Sequence, residues 1–237
     1  MRLICLPYAG GGAAVYRDLH PLLPELEVCN HELPGRGRRL AEPCTNDMTA
    51  LVDALLKELD DRFDRPFALL GHSMGAAIAF ELALRLPARA RPNLRHLFVS
   101  ARGAPGSPSD RRRLQHLDDR AFIEALHDLG GTPVEVLEND ELMALLMPVL
   151  RADFTLIENY RPAPGRMLDV DITAFAGRFD ESVPVETVAN WRDATTGDFE
   201  LQVIEGDHFF LRGAMPTLAS MIGTRLRREG RVALSVS

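Results

Sequence analysis

Lysine is almost absent from this chain of 237 residues: Lys57 is the only one, and arginine supplies the rest of the 27 basic side chains. The 34 acidic residues outnumber the basic ones, and the formal net charge is −7. A protein that binds nucleic acid through its phosphates needs a surplus of basic groups. The charge balance therefore argues against non-specific nucleic-acid binding.

Cysteine is also scarce, and long apolar runs are missing. Cys5, Cys29 and Cys44 form no CxxC pair, so the sequence predicts neither a disulfide framework nor a zinc site, and we expect no metal or other cofactor. No apolar run is long enough to cross a membrane, and Met1–Leu6 enters a strand-like segment without the pattern of a signal peptide. A cytoplasmic location without a membrane partner is the resulting expectation.

What is present is the composition of an ordinary globular domain, with 46% hydrophobic and 26% charged residues, and the length suits one domain. Short apolar runs alternate with longer helical patterns, which indicates an α/β fold with a mostly parallel sheet. The predicted strands are Arg2–Leu6, Leu26–Glu32, Pro66–Leu70, Leu94–Ser100, Asp171–Phe175 and Phe199–Ile204. The predicted helices among them are Ala14–Leu23, Met48–Asp60, Met74–Leu86, Pro184–Arg192 and Met215–Arg228.

The alternation is interrupted between the fourth and fifth predicted strands by a long segment, about residues 106–166. Its length of roughly 60 residues is far more than a simple α/β connection needs. The segment contains helical patterns, including Asp119–Leu129 and Asp140–Leu150, and no strand pattern. We predict an inserted helical lid, called the lid segment below, because so short a stretch has little core of its own. Its apolar residues, Met143 and Met147 among them, either pack on the body or line a cavity.

The segment Gly71-His72-Ser73-Met74-Gly75 matches the pattern G-x-S-x-G. The pattern alone is weak evidence, but a buried-strand pattern, Phe67–Leu70, precedes it and a strong helix pattern, Ala76–Leu84, follows it. Strand, tight turn and helix are the setting of a nucleophile elbow, in which a serine is held on a strained turn above the helix N-terminus. We predict that Ser73 is a nucleophile. An ordinary glycine-rich turn is the alternative.

A serine nucleophile needs a base and an orienting carboxylate, which follow it in the order Asp or Glu, then His, in this kind of fold. His208 follows the last predicted strand, and no later histidine competes. Asp180 lies in the loop after the fifth strand, just before a helix that Pro184 helps to start. Glu181 points elsewhere, and Asp207 is too close in sequence to the histidine to hold its ring. The prediction is Asp180 as acid and His208 as base; capping or surface roles are the alternatives.

An oxyanion formed at the serine needs two main-chain N–H donors. One is expected from Met74, the residue after the nucleophile. The other is expected from the loop Leu6–Gly12, called the oxyanion loop below, whose glycines allow close backbone approach. A dinucleotide site is the competing interpretation, but neither this loop nor Gly35-Arg36-Gly37 completes G-x-G-x-x-G, and no Walker lysine follows.

Together these motifs resemble the type II thioesterases, the stand-alone editing hydrolases of polyketide and nonribosomal peptide assembly lines. The segments that carry the resemblance span nearly the whole chain: Leu6–Gly11, Glu32–Gly37, Gly71–Gly75, Gly177–Asp180 and Gly206–Phe210. The resemblance implies a single α/β-hydrolase domain over residues 1–237, with a mostly parallel sheet, flanking helices and the lid segment. It implies a catalytic triad of Ser73, Asp180 and His208, with the amides of Ala9 and Met74 as oxyanion donors. Family members usually carry a further strand before the oxyanion loop, so we expect this sheet to lack an edge strand.

The resemblance also implies the reaction and a partner. An acyl group on the phosphopantetheine arm of an acyl or peptidyl carrier protein would be hydrolysed through an acyl-Ser73 intermediate, which removes aberrant or stalled units. The residues expected to contact substrate are Tyr8, Met143, Met147 and Phe209. Because such carriers are typically acidic, docking on a chain of net charge −7 would need a local basic patch. The candidates are the clusters Arg36, Arg38 and Arg39, and Arg111, Arg112 and Arg113, with ordinary solvated surface charge as the alternative.

Three other functions remain open from the sequence. A general carboxylesterase or lipase-like hydrolase would use the same triad, and an acyltransferase would replace water by an alcohol or amine. A non-catalytic protein of the same fold would only bind a ligand or partner. The intact set of Ser73, Asp180 and His208 argues against this last function, since a binder has no need of all three.

Overall fold

The computed structural model describes residues 1–107 and 113–235, with side chains up to residue 228. Within these residues six strands form one sheet in the order β2-β1-β3-β4-β5-β6, and every neighbouring pair is parallel. The strands are β1 Arg2–Leu6, β2 Glu27–Asn30, β3 Phe67–His72, β4 Leu94–Ser100, β5 Asp171–Gly177 and β6 Phe199–Ile204. The predicted α/β class with a parallel sheet is confirmed, and no described strand pairs with the outer side of β2.

The helices lie between the strands and after the last one. They are α1 Leu19–Leu22, α2 Met48–Glu58, α3 Met74–Leu84, α4 Asp119–Leu129, α5 Val134–Leu137, α6 Asp140–Asn159, α7 Val185–Ala189 and α8 Leu211–Ser235. Short 3-10 turns occur at Ala13–Tyr16, Gly37–Arg39, Asp60–Arg62, Arg91–Asn93 and Asn190–Ala194. In the described part of the chain no helix is both long and apolar enough to span a membrane.

The sheet is covered on both faces, which explains why its central strands are apolar throughout. Every residue of β1 and β3 is buried, as expected for a parallel sheet between two helical layers. Alternate residues serve opposite faces: Ile4 packs in the cluster that includes α2 and α3, and Leu3 packs in the cluster that includes α8. Because all six strands run in the same direction, their carboxyl ends lie along one edge of the sheet. The loops that carry the candidate catalytic residues emerge at this edge.

The predicted helix Ala14–Leu23 is wrong in its length. The structure has a 3-10 turn at Ala13–Tyr16 and only one helical turn in α1. Pro21 has no N–H to bond the carbonyl four residues earlier, which disfavours one continuous helix over this pattern. Tyr16 instead turns inward, where its hydroxyl donates to the Leu6 carbonyl at 3.0 Å and burial raises the pKa of that hydroxyl.

The lid segment contains α4, α5 and α6, and it has a small apolar cluster of its own. The predicted helix Asp140–Leu150 is too short, because α6 continues to Asn159 through Pro148. Its later residues pack on the body, where Leu156 belongs to the apolar cluster that includes α2 and α3. One helix therefore extends from the lid segment into the main core. Arg111 and Arg112 lie outside the described residues.

Candidate active site

The turn between β3 and α3 holds Ser73 in a backbone conformation that L-residues rarely adopt, with φ 53° and ψ −111°. The flanking glycines are required by close approach: a side chain at Gly71 would collide with the backbone of Gly75, and one at Gly75 would collide with the Leu6 carbonyl. The Ser73 amide donates to the Ser100 carbonyl on β4 at 2.8 Å. The serine is thus fixed at the carboxyl end of the sheet by its neighbours on both sides.

Ser73, His208 and Asp180 lie in one chain of hydrogen bonds. The Nε2 atom of His208 is 3.0 Å from Ser73 Oγ, and its Nδ1 atom is 2.6 Å from Asp180 Oδ2. A neutral imidazole satisfies both contacts when Nδ1–H donates to the carboxylate and Nε2 accepts from the hydroxyl. The three residues are 8%, 9% and 6% exposed respectively. The arrangement can therefore move a proton from the serine to the histidine with little competition from water.

The second oxygen of Asp180 is held by its own loop. Oδ1 accepts from the Ser182 amide at 2.9 Å, the Ser182 hydroxyl at 2.7 Å and the Val183 amide at 3.0 Å. These donors leave Oδ2 directed at His208. Ser182 is not among the residues predicted from the sequence, although an aspartate two residues before a serine at a helix start is an Asx-turn pattern.

His72 is a second residue that the sequence analysis did not single out. It is 1% exposed, its Nε2 atom is 2.9 Å from the His208 carbonyl, and its Nδ1 atom is 2.9 Å from Ser100 Oγ. Because the carbonyl can only accept, Nε2 carries the proton. His72 thus links β3, β4 and the loop that bears His208. It occupies an unspecified position of G-x-S-x-G, so the motif gave no signal for it.

Two of the four predicted substrate contacts, Tyr8 and Phe209, lie in an aromatic cluster with His72 and His208. The Tyr8 ring packs edge-on against Phe209 at 5.1 Å between centroids, and Phe209 packs edge-on against His208 at 5.0 Å. Met143 and Met147 lie instead in the apolar cluster of the lid segment. A role in substrate binding stays a prediction for all four.

The oxyanion loop lies against the first turn of α3. The distance is so short that a Cβ atom added at Gly75 would be 2.7 Å from the Pro7 carbonyl oxygen. Met74 is the first residue of α3, where an N–H group has no partner within the helix. Among the described residues the Ala9 amide also has no hydrogen-bond acceptor, whereas the next amide, that of Gly10, donates to Asp153 Oδ2 at 2.7 Å. The role of the Ala9 and Met74 amides as oxyanion donors stays a prediction.

The arginine cluster after the second strand is not the exposed patch that the sequence suggested. Arg36 is 7% exposed and paired with Asp153, so its guanidinium is withdrawn from the surface; that one of the two clusters contacts a carrier stays a prediction. Arg39 is held by Glu42 and Glu58, and its guanidinium lowers the pKa of the Glu42 carboxyl. Arg38 is exposed, and so is Arg113 in the other cluster.

A serine on a strained strand-to-helix turn, linked through histidine to aspartate at the carboxyl ends of parallel strands, defines an α/β hydrolase with a serine nucleophile. Comparison with known proteins narrows this class, since the thioesterase domain family matches residues 1–226. The gramicidin S biosynthesis protein GrsT of Aneurinibacillus migulanus is 41% identical over 212 residues, which are 89% of this chain and 83% of GrsT.

Two solved structures agree in fold over nearly the whole chain. The type II thioesterase BorB from the borrelidin biosynthetic cluster is 36% identical, with a TM-score of 0.86 and coverage of 95% of this chain and 92% of BorB. ClbQ from the colibactin NRPS/PKS pathway is 31% identical, with a TM-score of 0.91 and coverage of 98% of both chains. The chain belongs to the thioesterase family, and its resemblance to the type II thioesterases is confirmed.

Proposed function

We propose that this thioesterase hydrolyses acyl groups held on the phosphopantetheine arm of acyl or peptidyl carrier proteins, and so removes aberrant or stalled units from an assembly line in the cytoplasm. The observation that carries the proposal is the hydrogen-bonded chain Ser73, His208, Asp180 in a member of the thioesterase family. Relatives from gramicidin S biosynthesis, the borrelidin biosynthetic cluster and the colibactin NRPS/PKS pathway support a role in an assembly line.

Acylation begins when Ser73 Oγ attacks the thioester carbonyl carbon. His208 Nε2 takes the hydroxyl proton, and Asp180 stabilises the imidazolium through Nδ1–H. The amides of Ala9 and Met74 bind the negative charge that develops on the carbonyl oxygen. When the tetrahedral intermediate collapses, the carbon–sulfur bond breaks and the pantetheine sulfur leaves with the proton from His208 or as a thiolate. The products are an ester on Ser73 and a free arm.

Deacylation repeats the same steps with water. His208 Nε2 takes a proton from water as its oxygen attacks the acyl-serine carbonyl, and the same two amides bind the oxyanion. The proton then returns to Ser73 Oγ as the ester bond breaks and the carboxylic acid leaves. A thiolate departs with little protonation, so thioesters are favoured over amides as substrates.

The lid segment controls access in this proposal. Ser73 and His208 are each less than a tenth exposed, and a surface depression of about 660 Å³ beside β2, lined by Cys29, His31 and Arg62 among others, does not include Ser73. In this proposal part of α4–α6 moves to admit the phosphopantetheine arm to the serine.

The test is a panel in which one acyl group is presented on a carrier protein, on free pantetheine and as a simple ester. We expect kcat/KM to be at least about tenfold higher on the carrier, because contacts remote from the thioester add binding energy in the transition state. Ser73→Ala should lower kcat by about 10⁴-fold or more and should abolish labelling by a fluorophosphonate. Ser220→Ala, which changes an exposed serine on α8, is the matched control.

Each rival function has its own result in this panel. Rapid ester cleavage with no gain on the carrier would identify a general carboxylesterase. Transfer of the acyl group to an added alcohol or amine in preference to water would identify an acyltransferase. Failure of the fluorophosphonate to label Ser73, together with no hydrolysis of any substrate, would identify a non-catalytic binder.

A further inference from the structure

We infer that Asp153, on α6, is a positioning residue for the oxyanion loop: it holds the Gly10 amide and thereby fixes the neighbouring amide of Ala9. The inference rests on the proposed function in one respect, the assignment of the Ala9 amide as an oxyanion donor. Asp153 touches neither Ser73 nor the substrate carbonyl in that mechanism. It acts through the Ala9 amide, which binds the oxyanion in that mechanism.

The Asp153 carboxylate is the centre of a buried cluster beside the oxyanion loop. It is 3% exposed. Its Oδ2 atom accepts from the Gly10 amide at 2.7 Å and from Arg36 Nη1 at 2.7 Å, while Oδ1 accepts from Arg36 Nη2 at 2.8 Å. Arg36 Nη1 also donates to the Gly11 carbonyl at 2.9 Å. Two successive residues of the loop are therefore held by one ion pair.

The contact fixes the dihedral angles that aim the Ala9 amide. The Gly10 N–H is separated from the Ala9 N–H by only the two soft dihedral angles of Ala9. Gly10 has a φ of 76° and lies so close to α6 that a Cβ atom there would be 2.5 Å from Leu150 Cδ2. Leu150 and Asp153 are three residues apart on one helical face. The loop is thus constrained by α6 through both a packing contact and a hydrogen bond.

Stability alone gives little reason for a charged pair in this place. Replacing a buried ion pair by apolar residues of similar volume is often neutral or stabilising, whereas removing one partner leaves an unpaired buried charge. An oxyanion donor, by contrast, must stay within a few tenths of an ångström of its productive position. A charge-assisted hydrogen bond to the next amide supplies that restraint.

The helix that carries Asp153 also belongs to the lid segment. Met143 and Leu150 on α6 lie in the apolar cluster of that segment, and Leu156 lies in the main core. The oxyanion loop is consequently tied to a helix of the lid segment, which in the proposed function covers the active site. A shift of α6 when the lid segment opens would be transmitted to Gly10.

The test compares two double variants that both remove the buried charges, Arg36→Met with Asp153→Asn and Arg36→Met with Asp153→Leu. Asn and Leu have the same number and branching of side-chain heavy atoms, but only Asn retains an oxygen that accepts from the Gly10 amide. Both variants are checked by thermal unfolding and near-UV circular dichroism. The single variant Asp153→Asn, which also retains the acceptor, is included so that a test remains if either double variant does not fold.

The substrate is an activated p-nitrophenyl ester, which any serine hydrolase with an oxyanion hole cleaves whether or not a carrier is its partner. The Leu variant should have a kcat about 10- to 100-fold below that of the Asn variant at similar KM, because the oxyanion contact is made only in the transition state. Its inhibition constant for an alkylboronic acid, whose adduct with Ser73 puts an oxygen in the oxyanion hole, should rise by a similar factor.

Equal kcat and equal boronate inhibition in the two folded double variants would overturn the inference and leave the proposed function intact. If the wild-type protein cleaves the ester but its kcat/KM is no higher on an acyl-carrier, the proposed function is contradicted. The comparison of the two double variants then still tests the role of Asp153. A large kcat loss in Asp153→Asn alone, with its acceptor retained and boronate inhibition unchanged, would also contradict the inference.

Discussion

The carboxylate of Asp180 shows how a single residue is fixed from two sides. Oδ2 faces His208, and the loop residues Ser182 and Val183 occupy Oδ1. The loop that carries the acid therefore also orients it. His208 differs, because its main chain is held by a residue far away in sequence: the His72 ring donates to the His208 carbonyl across 136 positions.

This contact predicts a measurable effect of His72 on catalysis. Its replacement in His72→Leu removes the links from β3 to Ser100 and to the His208 carbonyl, so the imidazole of His208 is less well placed. We expect kcat on an acyl-pantetheine to fall about tenfold, the equivalent of one buried hydrogen bond of roughly 1.4 kcal/mol, with little change in KM.

The matched control is His96→Leu, which removes another fully buried histidine from β4, whose Nε2 atom lies 2.9 Å from Thr173 Oγ1. It should lower the unfolding temperature to a similar extent without lowering kcat. An equal loss of kcat in both variants would show that His72 contributes only to stability.

The residues that sequence could identify are those with a local signature. Ser73 has its motif, and Asp180 and His208 follow strand ends in a fixed chain order. His72 and Asp153 have no such signature, since each acts on a partner more than a hundred residues away. The burial of Arg36 could not be predicted for the same reason. An arginine in a loop is expected to be exposed, and its buried partner, Asp153, lies 117 positions later in the sequence.

At the scale of whole elements, the strands were predicted better than the helices. A buried parallel strand is marked by a short apolar run with turn residues on both sides, and β1, β3 and β4 lie where such runs occur. The end of a helix depends on what the helix meets. α6 passes Pro148 and continues to Asn159 because its last turns pack on the core, an effect that local pattern does not contain.

The connection between α4 and α5 is attached to α8 by Arg212. Its Nη1 atom donates to the Gly130 carbonyl at 3.0 Å, Nη2 donates to the Gly131 carbonyl, and the guanidinium lies 4.8 Å from the centre of the Phe209 ring. Phe209 is the residue after His208. The lid segment is therefore fastened to the active-site loop itself.

We expect Arg212→Met to loosen this attachment. Loss of two exposed charge-assisted hydrogen bonds, worth about 1 kcal/mol in total, should speed amide hydrogen exchange in α4 and α5 by about fivefold. Exchange in β3 and β4 should not change. Hydrogen exchange read by mass spectrometry measures both.

Arg227→Met is the control, since Arg227 lies on the same helix but pairs with Glu25 on the body at 2.7 Å. It should leave exchange in the lid segment unchanged. Faster exchange throughout the chain in Arg212→Met would contradict a local attachment and indicate general destabilisation instead.

At the scale of the molecule, the charge distribution bears on how a carrier would approach. The formal net charge is −7, and the first arginine cluster is largely withdrawn from the surface, with Arg36 buried against Asp153 and Arg39 held by two glutamates. Arg38 and Arg113 remain exposed among the described residues of the two clusters. The long-range field thus opposes an acidic partner, and only short-range contacts favour it.

This balance predicts an unusual salt dependence. Between about 50 mM and about 0.5 M salt the Debye length shrinks from roughly 14 Å to roughly 4 Å, which screens the repulsion between the enzyme and an acidic carrier more than it weakens close contacts. We expect kcat/KM on the acyl-carrier to rise about two- to fivefold over this range, mainly through faster association. The same acyl group on N-acetylcysteamine, which is uncharged, should give a constant value and so control for effects of salt on the chemistry. A fall in kcat/KM specific to the carrier would contradict the prediction, because it would mean that a local basic patch dominates the encounter despite the negative net charge.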